Sequence, residues 1–234
     1  MNNAVVIIPT YNEREGIVEA ILSVKAKEPN AEIIVVDDNS PDGTAALVRS
    51  RFRKDKRVYV VVRKEKGGRG SAVIAGYKEG LKNKSAKFFI EMDADLCHDP
   101  KYIKQLVNTC KNADVVIASR YLPASRVTGW KVKRKVMSLA INTFAKIMLG
   151  IPISDYTNGY RCYSRKAVEF LCSQRLKSRG YVVLSEAAYR CYKKGMVFDE
   201  IAIDFLNVSF TKSNLNLQEI KEALFTILQL RFSK

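Results

Sequence analysis

Two aspartates spaced two residues apart give the clearest chemical signal in the chain. Asp93 and Asp95 follow an apolar run, and Cys97 and the single histidine, His98, come directly after them. On an extended chain, residues i and i+2 point to the same side, so both carboxylates can face one ligand. Two like charges held close together need a cation or a raised pKa, and oxygen ligands suit Mg²⁺ or Mn²⁺ bridging a diphosphate.

Other interpretations of this stretch stay open from the residues alone. The aspartates could form an acid–base pair, or they could be the solvated polar end of a strand. Cys97 and His98 could make a thiol or metal site, but neighbouring residues of an extended chain point to opposite sides, which disfavours a shared ligand. Since a single histidine is more often structural than catalytic, we expect His98 to support the local structure.

Three further stretches have residue types that suit phosphate or nucleoside binding. The glycine-rich segment 66–72 would let backbone N–H groups approach a phosphate. Asp37 and Asp38 end an apolar run, so one could accept a hydrogen bond from a nucleoside while the other caps the next turn. Arg134 and Ser138 are one helical turn apart, a spacing that suits a phosphate oxyanion or, alternatively, a solvated basic face.

The elements that would position these residues follow a regular alternation. Continuous β-branched runs, typical of strands buried on both faces, occur at residues 4–9, 32–38, 58–63, 88–93 and 114–119. Helical periodicity occurs between them at residues 13–27, 42–54, 71–83 and 100–112. The alternation predicts βαβ units and an α/β fold with a mostly parallel central sheet flanked by helices.

Polar segments follow four of the predicted strands, at residues 9–13, 37–44, 66–72 and 93–99. The carboxyl ends of parallel strands meet at one edge of a sheet, and ligands of such sheets bind there. We therefore expect these four segments to come together and to form a site.

The second half of the chain is less regular. Helices are predicted at residues 129–150, 180–195 and 216–234, and residues 155–167 are predicted to form a polar loop that leads into a helix. Residues 197–210 have a strand-like pattern. With neither repeats nor low-complexity segments, this half is predicted to extend the same domain: residues 1–207 as the catalytic domain, and residues 208–234 as a tail with an amphipathic helix.

Composition limits the class of protein. Apolar residues make up 47% of the 234 residues, enough for a full core, and the five cysteines include no CxxC pair, which argues against a disulfide framework or a zinc ribbon. Neither a signal peptide nor a membrane-spanning run is recognised. The net charge of +16 favours an anionic partner, but no alternation of aromatic and basic residues supports nucleic-acid binding.

Seven stretches, in order, resemble one known family. They are VIIPTYNEREGI, EIIVVDDNSPDGT, GRGSAVIAGYKEGL, MDADLCHDP, SRY, GWKVKRKVMS and DYTNGYRCYSR, and they fall within roughly residues 3–205. The chain resembles family-2 glycosyltransferases, in particular the dolichol-phosphate (polyprenol-phosphate) mannose synthases. The resemblance implies a GT-A (Rossmann-like) fold. It also implies transfer of a hexose, with inversion, from a nucleotide sugar to a polyprenyl phosphate.

The resemblance also assigns roles to residues. The implied donor-binding residues are Pro9, Tyr11, Glu13, Val36, Asp38, Asp93, Ala94 and Asp95. Asp95 would bind the divalent metal, with Cys97 as a further candidate ligand, and Asp93 would face the ribose or sugar. Arg120, Arg134 and Ser138 match the positions that bind the acceptor phosphate, and Asp93, Asp95 and Arg120 are the implied catalytic residues.

The implied chemistry agrees with the composition. A lipid monophosphate is largely dianionic near pH 7, so it needs no strong base to attack. We therefore expect a site that gathers cations: Mg²⁺ or Mn²⁺ on the leaving diphosphate and arginines on the attacking phosphate. An acidic substrate and an anionic membrane surface would account for the positive charge without nucleic acid.

The chain departs from the family pattern at several positions. Val208 and Asn214 stand where relatives carry Arg and Lys that help the donor phosphates, with Lys212 and Lys66 as candidate substitutes, and Cys97 stands where relatives often carry Gln or Ser. The C-terminal membrane spans of many relatives are also missing. We therefore expect peripheral attachment to the cytoplasmic face of a membrane through helices 131–149 and 216–232, or a membrane-spanning partner subunit.

The sequence thus predicts a transferase that moves mannose from GDP-mannose onto dolichyl or polyprenyl phosphate. Two alternatives stay open: an enzyme that uses UDP-glucose or another UDP-hexose, and a nucleotide-binding protein of the same fold without turnover. The replacements at Val208 and Asn214 motivate the second alternative.

Overall fold

The computed structural model describes residues 3–176, 178, 180, 182–207 and 217–232, with the side chains of residues 217–223 excepted. Strands β1–β9 are Ala4–Thr10, Glu32–Asp37, Val58–Val62, Phe88–Glu91, Val115–Ser119, Arg126–Thr128, Arg161–Ser164, Phe198–Ala202 and Asp204–Leu206. Helices α1–α8 are Ile17–Lys27, Thr44–Arg51, Arg69–Gly80, Ile103–Thr109, Val132–Leu149, Arg165–Ser173, Val182–Lys193 and Leu217–Phe232.

Seven strands form one sheet in the order β3-β2-β1-β4-β7-β5-β8, and β6 pairs with β9 in a small second sheet. Every neighbouring pair in the large sheet is parallel except the two that involve β7, which is antiparallel to both β4 and β5. Six strands therefore end at one edge of the sheet, the carboxyl edge, and β7 begins there. This confirms the predicted α/β fold with a mostly parallel sheet.

The core lies on both faces of the large sheet. Alternate residues of β1 point to opposite faces, so Val6 and Ile8 belong to one buried cluster while Val5 and Ile7 belong to the other. Each of these four side chains is fully buried. This packing explains why the strands have continuous apolar runs instead of an alternating pattern.

The interpretation of residues 155–167 as a polar loop that leads into a helix is correct for residues 155–160 and for the start of α6 at Arg165, but it missed a strand. This segment contains β7, Arg161–Ser164, which fills the gap between β4 and β5. The polar residues Asp155, Asn158 and Arg161 are buried, because each is hydrogen-bonded within the fold. Since β7 runs antiparallel to its neighbours, residues 155–160 lead into it at the carboxyl edge.

The two helices predicted at 131–149 and 216–232 are present as α5 and α8, and α8 packs against α5 and α7. In the described part of the chain, no helix is long and apolar enough to cross a membrane. The predicted tail, residues 208–234, is described only at 217–232. Val208, Lys212 and Asn214 lie outside the described residues. The predicted boundary between a catalytic domain and this tail stays a prediction.

Candidate functional site

The first two polar segments are hydrogen-bonded to each other at the carboxyl edge. The backbone N–H of Asn12 donates to Ser40 Oγ at 3.0 Å, and that of Glu13 donates to Thr44 Oγ1 at 3.1 Å. Both acceptors lie in the segment after β2. The turn after β1 is therefore held in place by serine and threonine hydroxyls of the neighbouring loop.

Asp37 and Asp38 have different structural roles at the end of β2. Asp37 caps the following turn, because its carboxylate accepts the backbone N–H of Ser40 at 2.8 Å. Asp38 binds the glycine-rich segment: Oδ2 accepts the N–H groups of Gly67 and Gly68 at 3.1 Å, and Oδ1 accepts Arg63 Nη1 at 2.7 Å. The carboxylate predicted to bind a nucleoside thus also fixes the loop that adjoins it.

Arg69 joins the glycine-rich segment to the 93–99 segment. Arg69 Nη2 and Nε donate to Asp93 Oδ1 at 2.7 and 3.2 Å, and Nη1 forms an ion pair with Glu91. Burial raises the pKa of Asp93, but the neighbouring positive charges, with Arg69 foremost and Arg120 further away, together hold that pKa below its usual value. The four polar segments therefore meet, as the sequence predicted.

The chain is not extended through the two aspartates. Strand β4 ends at Glu91, and Leu96 has a φ of 62°, which turns the backbone into the left-handed region. In this turn Asp95 Oδ1 accepts the backbone N–H of Cys97 at 3.0 Å. The two aspartates therefore lie in the loop after β4 and not within the strand, and the prediction that both carboxylates face one ligand stays a prediction.

Cys97 is placed away from the open edge. Its side chain is 6% exposed and belongs to a buried apolar cluster. This position does not favour Cys97 as a metal ligand, so the metal prediction rests on Asp95, which is half-buried at the edge.

The pKa of Glu13 reflects the burial and the negative charge of this region. Burial, followed by the charges of Asp95 and Asp93, raises its pKa from 4.5 to about 7. Glu13, Asp93 and Asp95 therefore lie close enough to repel one another, and we call these three residues the acidic group. Such a group is stabilised by a cation. Among the described residues, no cluster of three or more His, Cys, Asp or Glu side chains could hold a metal ion alone.

His98 supports the local structure. Its Nδ1 accepts the backbone N–H of Asp93 at 2.9 Å, and its Nε2 lies 3.0 Å from Asn158 Oδ1. Because a backbone amide can only donate, Nδ1 is unprotonated and Nε2–H is the donor to Asn158. The ring also stacks on Tyr160 at 4.9 Å and is buried. The structural interpretation of His98 agrees with these contacts.

Arg120 is held by a carboxylate that sequence reasoning did not select. Its Nε and Nη2 donate to the two oxygens of Asp155 at 2.7 and 2.8 Å, and both side chains are buried. Burial raises the pKa of Asp155, but Arg120 outweighs it and lowers that pKa. Glu200 fixes the segment, since its carboxylate accepts the N–H groups of Ser154 and Asp155.

Trp130 connects the two predicted acceptor arginines. The guanidinium carbons of Arg120 and Arg134 lie 5.2 and 4.5 Å from the centre of the indole ring, within cation–π range. One turn further along α5, Ser138 Oγ accepts the hydroxyl of Tyr121 at 2.6 Å. The structure thus brings Arg120, Arg134 and Ser138 together, and we call these three residues the basic group.

The other predicted donor residues differ in exposure. Tyr11 is exposed and lies under Lys66, whose Nζ is 3.6 Å from the ring centre, while Pro9 is half-buried. The side chains of Val36 and Ala94 are buried, so any contact that these two make with a ligand would come from their backbone.

Sequence reasoning missed three residues that organise the site: Arg69, Asp155 and Trp130. Arg69 stands in the quoted glycine-rich segment and Asp155 at the start of the supposed loop. The position of Arg69 between two glycines was a usable signal, since a buried charge needs a partner. Asp155 stands in a polar stretch and Trp130 is uncharged, so neither gave such a signal.

The fold and site define a class of protein: an α/β protein with the sheet of the GT-A class and with an acidic and a basic group at its carboxyl edge, close enough for Arg120 to act on the charge of Asp93. The family model described as "Glycosyl transferase family 2" matches residues 5–171. The chain therefore belongs to glycosyltransferase family 2.

Two curated relatives are similar over most of the chain. Polyprenol monophosphomannose synthase of Mycolicibacterium smegmatis is 37% identical over 226 residues, which are 96% of this chain and 85% of the relative. Undecaprenyl-phosphate mannosyltransferase of Micrococcus luteus is 33% identical over 221 residues, which are 94% of this chain and 90% of the relative.

Solved structures support the fold at lower identity. Glucosyl-3-phosphoglycerate synthase of Mycobacterium tuberculosis, in complex with Mn²⁺, UDP and phosphoglyceric acid, is 18% identical with a TM-score of 0.65 over 97% of this chain and 76% of its own. TarS residues 1–349 of S. aureus give a TM-score of 0.59 at 19% identity over 86% of this chain and 58% of TarS. At this identity the likeness establishes the GT-A fold alone.

Proposed function

We propose that the chain transfers mannose from GDP-mannose to a polyprenyl phosphate, such as dolichyl phosphate, with inversion at the anomeric carbon. The observation that carries the proposal is the acidic group next to the basic group at one sheet edge. The first suits a metal-bound nucleoside diphosphate and the second suits a phosphate acceptor. The names of the two relatives, which match nearly the whole chain, support mannose and a polyprenyl phosphate.

The acidic group fits a divalent metal, Mg²⁺ or Mn²⁺. Burial, and after it the charges of Asp95 and Asp93, raise the pKa of Glu13 to about 7, and a bound cation would relieve the part that comes from repulsion. Carboxylate oxygens suit these hard metals. Asp95 would hold the ion, which would supply Lewis-acid stabilisation of the leaving diphosphate.

The positions of the other predicted donor-binding residues indicate which contacts each would make with the nucleotide sugar. Tyr11 is exposed, two residues before Glu13 in the chain, and would offer its ring to the nucleobase, and Asp38 accepts hydrogen bonds from the backbone of the glycine-rich segment. Pro9, Val36 and Ala94 would contribute backbone contacts, while Asp93 would face the ribose or sugar.

The basic group would bind the acceptor phosphate. Arg134 and Ser138 lie on the same face of α5, and the guanidinium groups of Arg120 and Arg134 both lie within cation–π range of Trp130. A phosphate oxygen of the lipid attacks the anomeric carbon, the bond from that carbon to the diphosphate oxygen breaks, and the nucleoside diphosphate leaves. The dianionic nucleophile needs no protein base, in agreement with the structural role of His98.

Apolar surface on α5 and α8 supports peripheral attachment to the cytoplasmic face of a membrane. Val132, Val136 and Ile147 of α5 are 76%, 62% and 69% exposed, and Phe225 and Phe232 of α8 are 62% and 74% exposed. The two helices pack together, and exposed lysines at the start of α5 are placed to contact anionic head groups. Since α5 also carries Arg134 and Ser138, a lipid tail would leave the site beside this surface.

One assay tests the proposal. The purified chain is incubated with polyprenyl phosphate vesicles and Mg²⁺ or Mn²⁺, and with labelled GDP-mannose or UDP-glucose in separate reactions. We expect label in the organic phase only with GDP-mannose and only with a metal present. Transfer from UDP-glucose and none from GDP-mannose would mean that the donor is UDP-glucose. Nucleotide binding without transfer from any donor would favour the non-catalytic alternative.

A further inference from the structure

We propose that Arg69 gives Asp93 and Asp95 different roles: by pairing with Asp93, it keeps that carboxylate out of the metal's coordination shell and leaves the metal to Asp95. The inference deepens the proposed function, because it rests on a metal at the acidic group. It makes Arg69 a positioning residue, acting through Asp93.

The contacts of Asp93 leave it poorly placed to bind a cation. Two nitrogens of Arg69 donate to the same oxygen, Asp93 Oδ1, at 2.7 and 3.2 Å. Its backbone is held as well, since its N–H donates to His98 Nδ1 at 2.9 Å. A divalent ion bound to this carboxylate would lie beside a permanent positive charge, which opposes binding.

Asp95 is held differently. Within the described residues, the hydrogen bond that its side chain accepts comes from the backbone N–H of Cys97 to Oδ1 at 3.0 Å. A backbone amide orients the carboxylate without cancelling its charge. The two aspartates, similar in sequence, thus differ in their capacity to bind a cation.

Arg69 is itself fixed by several parts of the fold. Its ion pair with Glu91 is supported by the hydroxyl of Tyr77, which donates to the other Glu91 oxygen at 3.3 Å. At Gly159, a Cβ would lie only 2.1 Å from Arg69 Nη2, so the glycine leaves room for the guanidinium. The site for this charge is therefore built by α3, β4 and the segment before β7.

Binding of Mn²⁺ in the presence of GDP or, in a parallel titration, UDP, whose diphosphate supplies further ligands, is followed by electron paramagnetic resonance of the free ion and tests the inference without any transfer reaction. Arg69→Met removes the charge, and we expect it to bind Mn²⁺ at least about 10-fold more tightly or with one more ion, since Asp93 becomes available. Arg69→Lys keeps the charge and should bind Mn²⁺ close to wild type. The double variant Arg69→Met/Asp93→Asn should return to wild-type Mn²⁺ binding.

Transfer activity gives a second readout. We expect Arg69→Met to lower kcat by about 10- to 100-fold, the usual effect of losing a residue that orients a functional group. Unchanged Mn²⁺ affinity and stoichiometry in a folded Arg69→Met protein would overturn the inference.

A further variant keeps the test decisive if Arg69→Met does not fold. Asp93→Asn should bind Mn²⁺ as wild type does, because Asp93 is not a ligand while Arg69 is present. Loss of Mn²⁺ binding in Asp93→Asn would refute the assignment. Absence of transfer from every donor, with these Mn²⁺ results intact, would instead overturn the proposed function and leave the role of Arg69 standing.

Discussion

The site contains two ion pairs that resemble each other in geometry and differ in charge balance. In the acidic group, Asp93 is paired with Arg69, and Arg69 also faces Glu91. In the basic group, Arg120 is paired with Asp155, and Arg134, which also lies near Trp130, adds a further positive charge. One pair is embedded in surplus negative charge and the other in surplus positive charge.

This difference shows how one sheet edge can serve two anionic substrates. An ion pair fixes the geometry of a charged side chain, while the further charges beside it set the sign of the local field. The acidic group needs a cation before a diphosphate can approach, whereas the basic group can receive a phosphate directly. Variants that change the surplus charge should therefore affect different substrates on the two sides.

The largest effect on transfer activity should come from Asp95, the carboxylate of the acidic group that is proposed to bind the metal. Asp95→Asn keeps the shape of the side chain and removes its charge, so metal-dependent transfer should fall by about 1000-fold, or ~4 kcal/mol. Asp99→Asn is the matched control, because Asp99 caps a short turn and Asn caps equally well. Full activity in Asp95→Asn, measured by labelled lipid in the organic phase, would exclude Asp95 as the metal ligand.

The next largest effect should come from breaking the pair in the basic group. Asp155→Asn leaves the buried Arg120 guanidinium without a counter-charge, which should lower the free energy of unfolding by about 3 kcal/mol. Urea denaturation measures this. Glu169→Gln removes the exposed partner of Arg165 and should change stability by less than about 0.5 kcal/mol. Equal losses in the two variants would show that the buried Arg120–Asp155 pair stabilises the fold no more than an exposed ion pair does.

Most of the first half of the fold could be predicted from the sequence, because its signals are local. Five apolar runs became strands β1–β5 with boundaries shifted by one or two residues, and the polar segments met because parallel strands end at one edge. The ion partners could not be predicted, because they depend on long-range contacts. Asp155 is 35 residues from Arg120, and Arg69 is 24 residues from Asp93.

Two errors had identifiable physical causes. Strand β7 was missed because its four residues are flanked by polar side chains, whose burial depends on partners elsewhere in the chain. The turn at Leu96 was missed because a positive φ is uncommon at a non-glycine residue. In both cases tertiary contacts overrode the local pattern.

A smaller effect is expected from Arg134, the arginine of the basic group that is not in the ion pair with Asp155. Arg134→Ala should raise the KM for polyprenyl phosphate by about 10- to 100-fold and leave the KM for the sugar nucleotide nearly unchanged, since a charge-assisted bond contributes about 1.5–3 kcal/mol. Lys104→Ala, which removes an exposed positive charge on α4, is the control. Equal increases in both KM values would mean that Arg134 serves both substrates.

The smallest effect concerns the pH dependence of the acidic group. The pKa of Glu13 is raised from 4.5 to about 7 in the folded chain, so between these values the folded state keeps a proton that the unfolded state has lost. The metal-free protein should therefore lose stability as pH rises from 4.5 to 7. Because Glu13 is partly solvated, screening reduces its contribution to about 1 kcal/mol.

Glu13→Gln removes the charge responsible for this loss, so it should be more stable than wild type above pH 7 and equal to it below pH 4.5. Thermal unfolding at several pH values without metal measures the difference. Saturating Mn²⁺ should reduce the advantage of Glu13→Gln, because the bound cation offsets the repulsion that the variant removes. A stability gain that is independent of pH would show that Glu13 acts through packing. In that case repulsion among Glu13, Asp93 and Asp95 would be weak, and the contrast in net charge between the acidic group and the basic group would be smaller than described above.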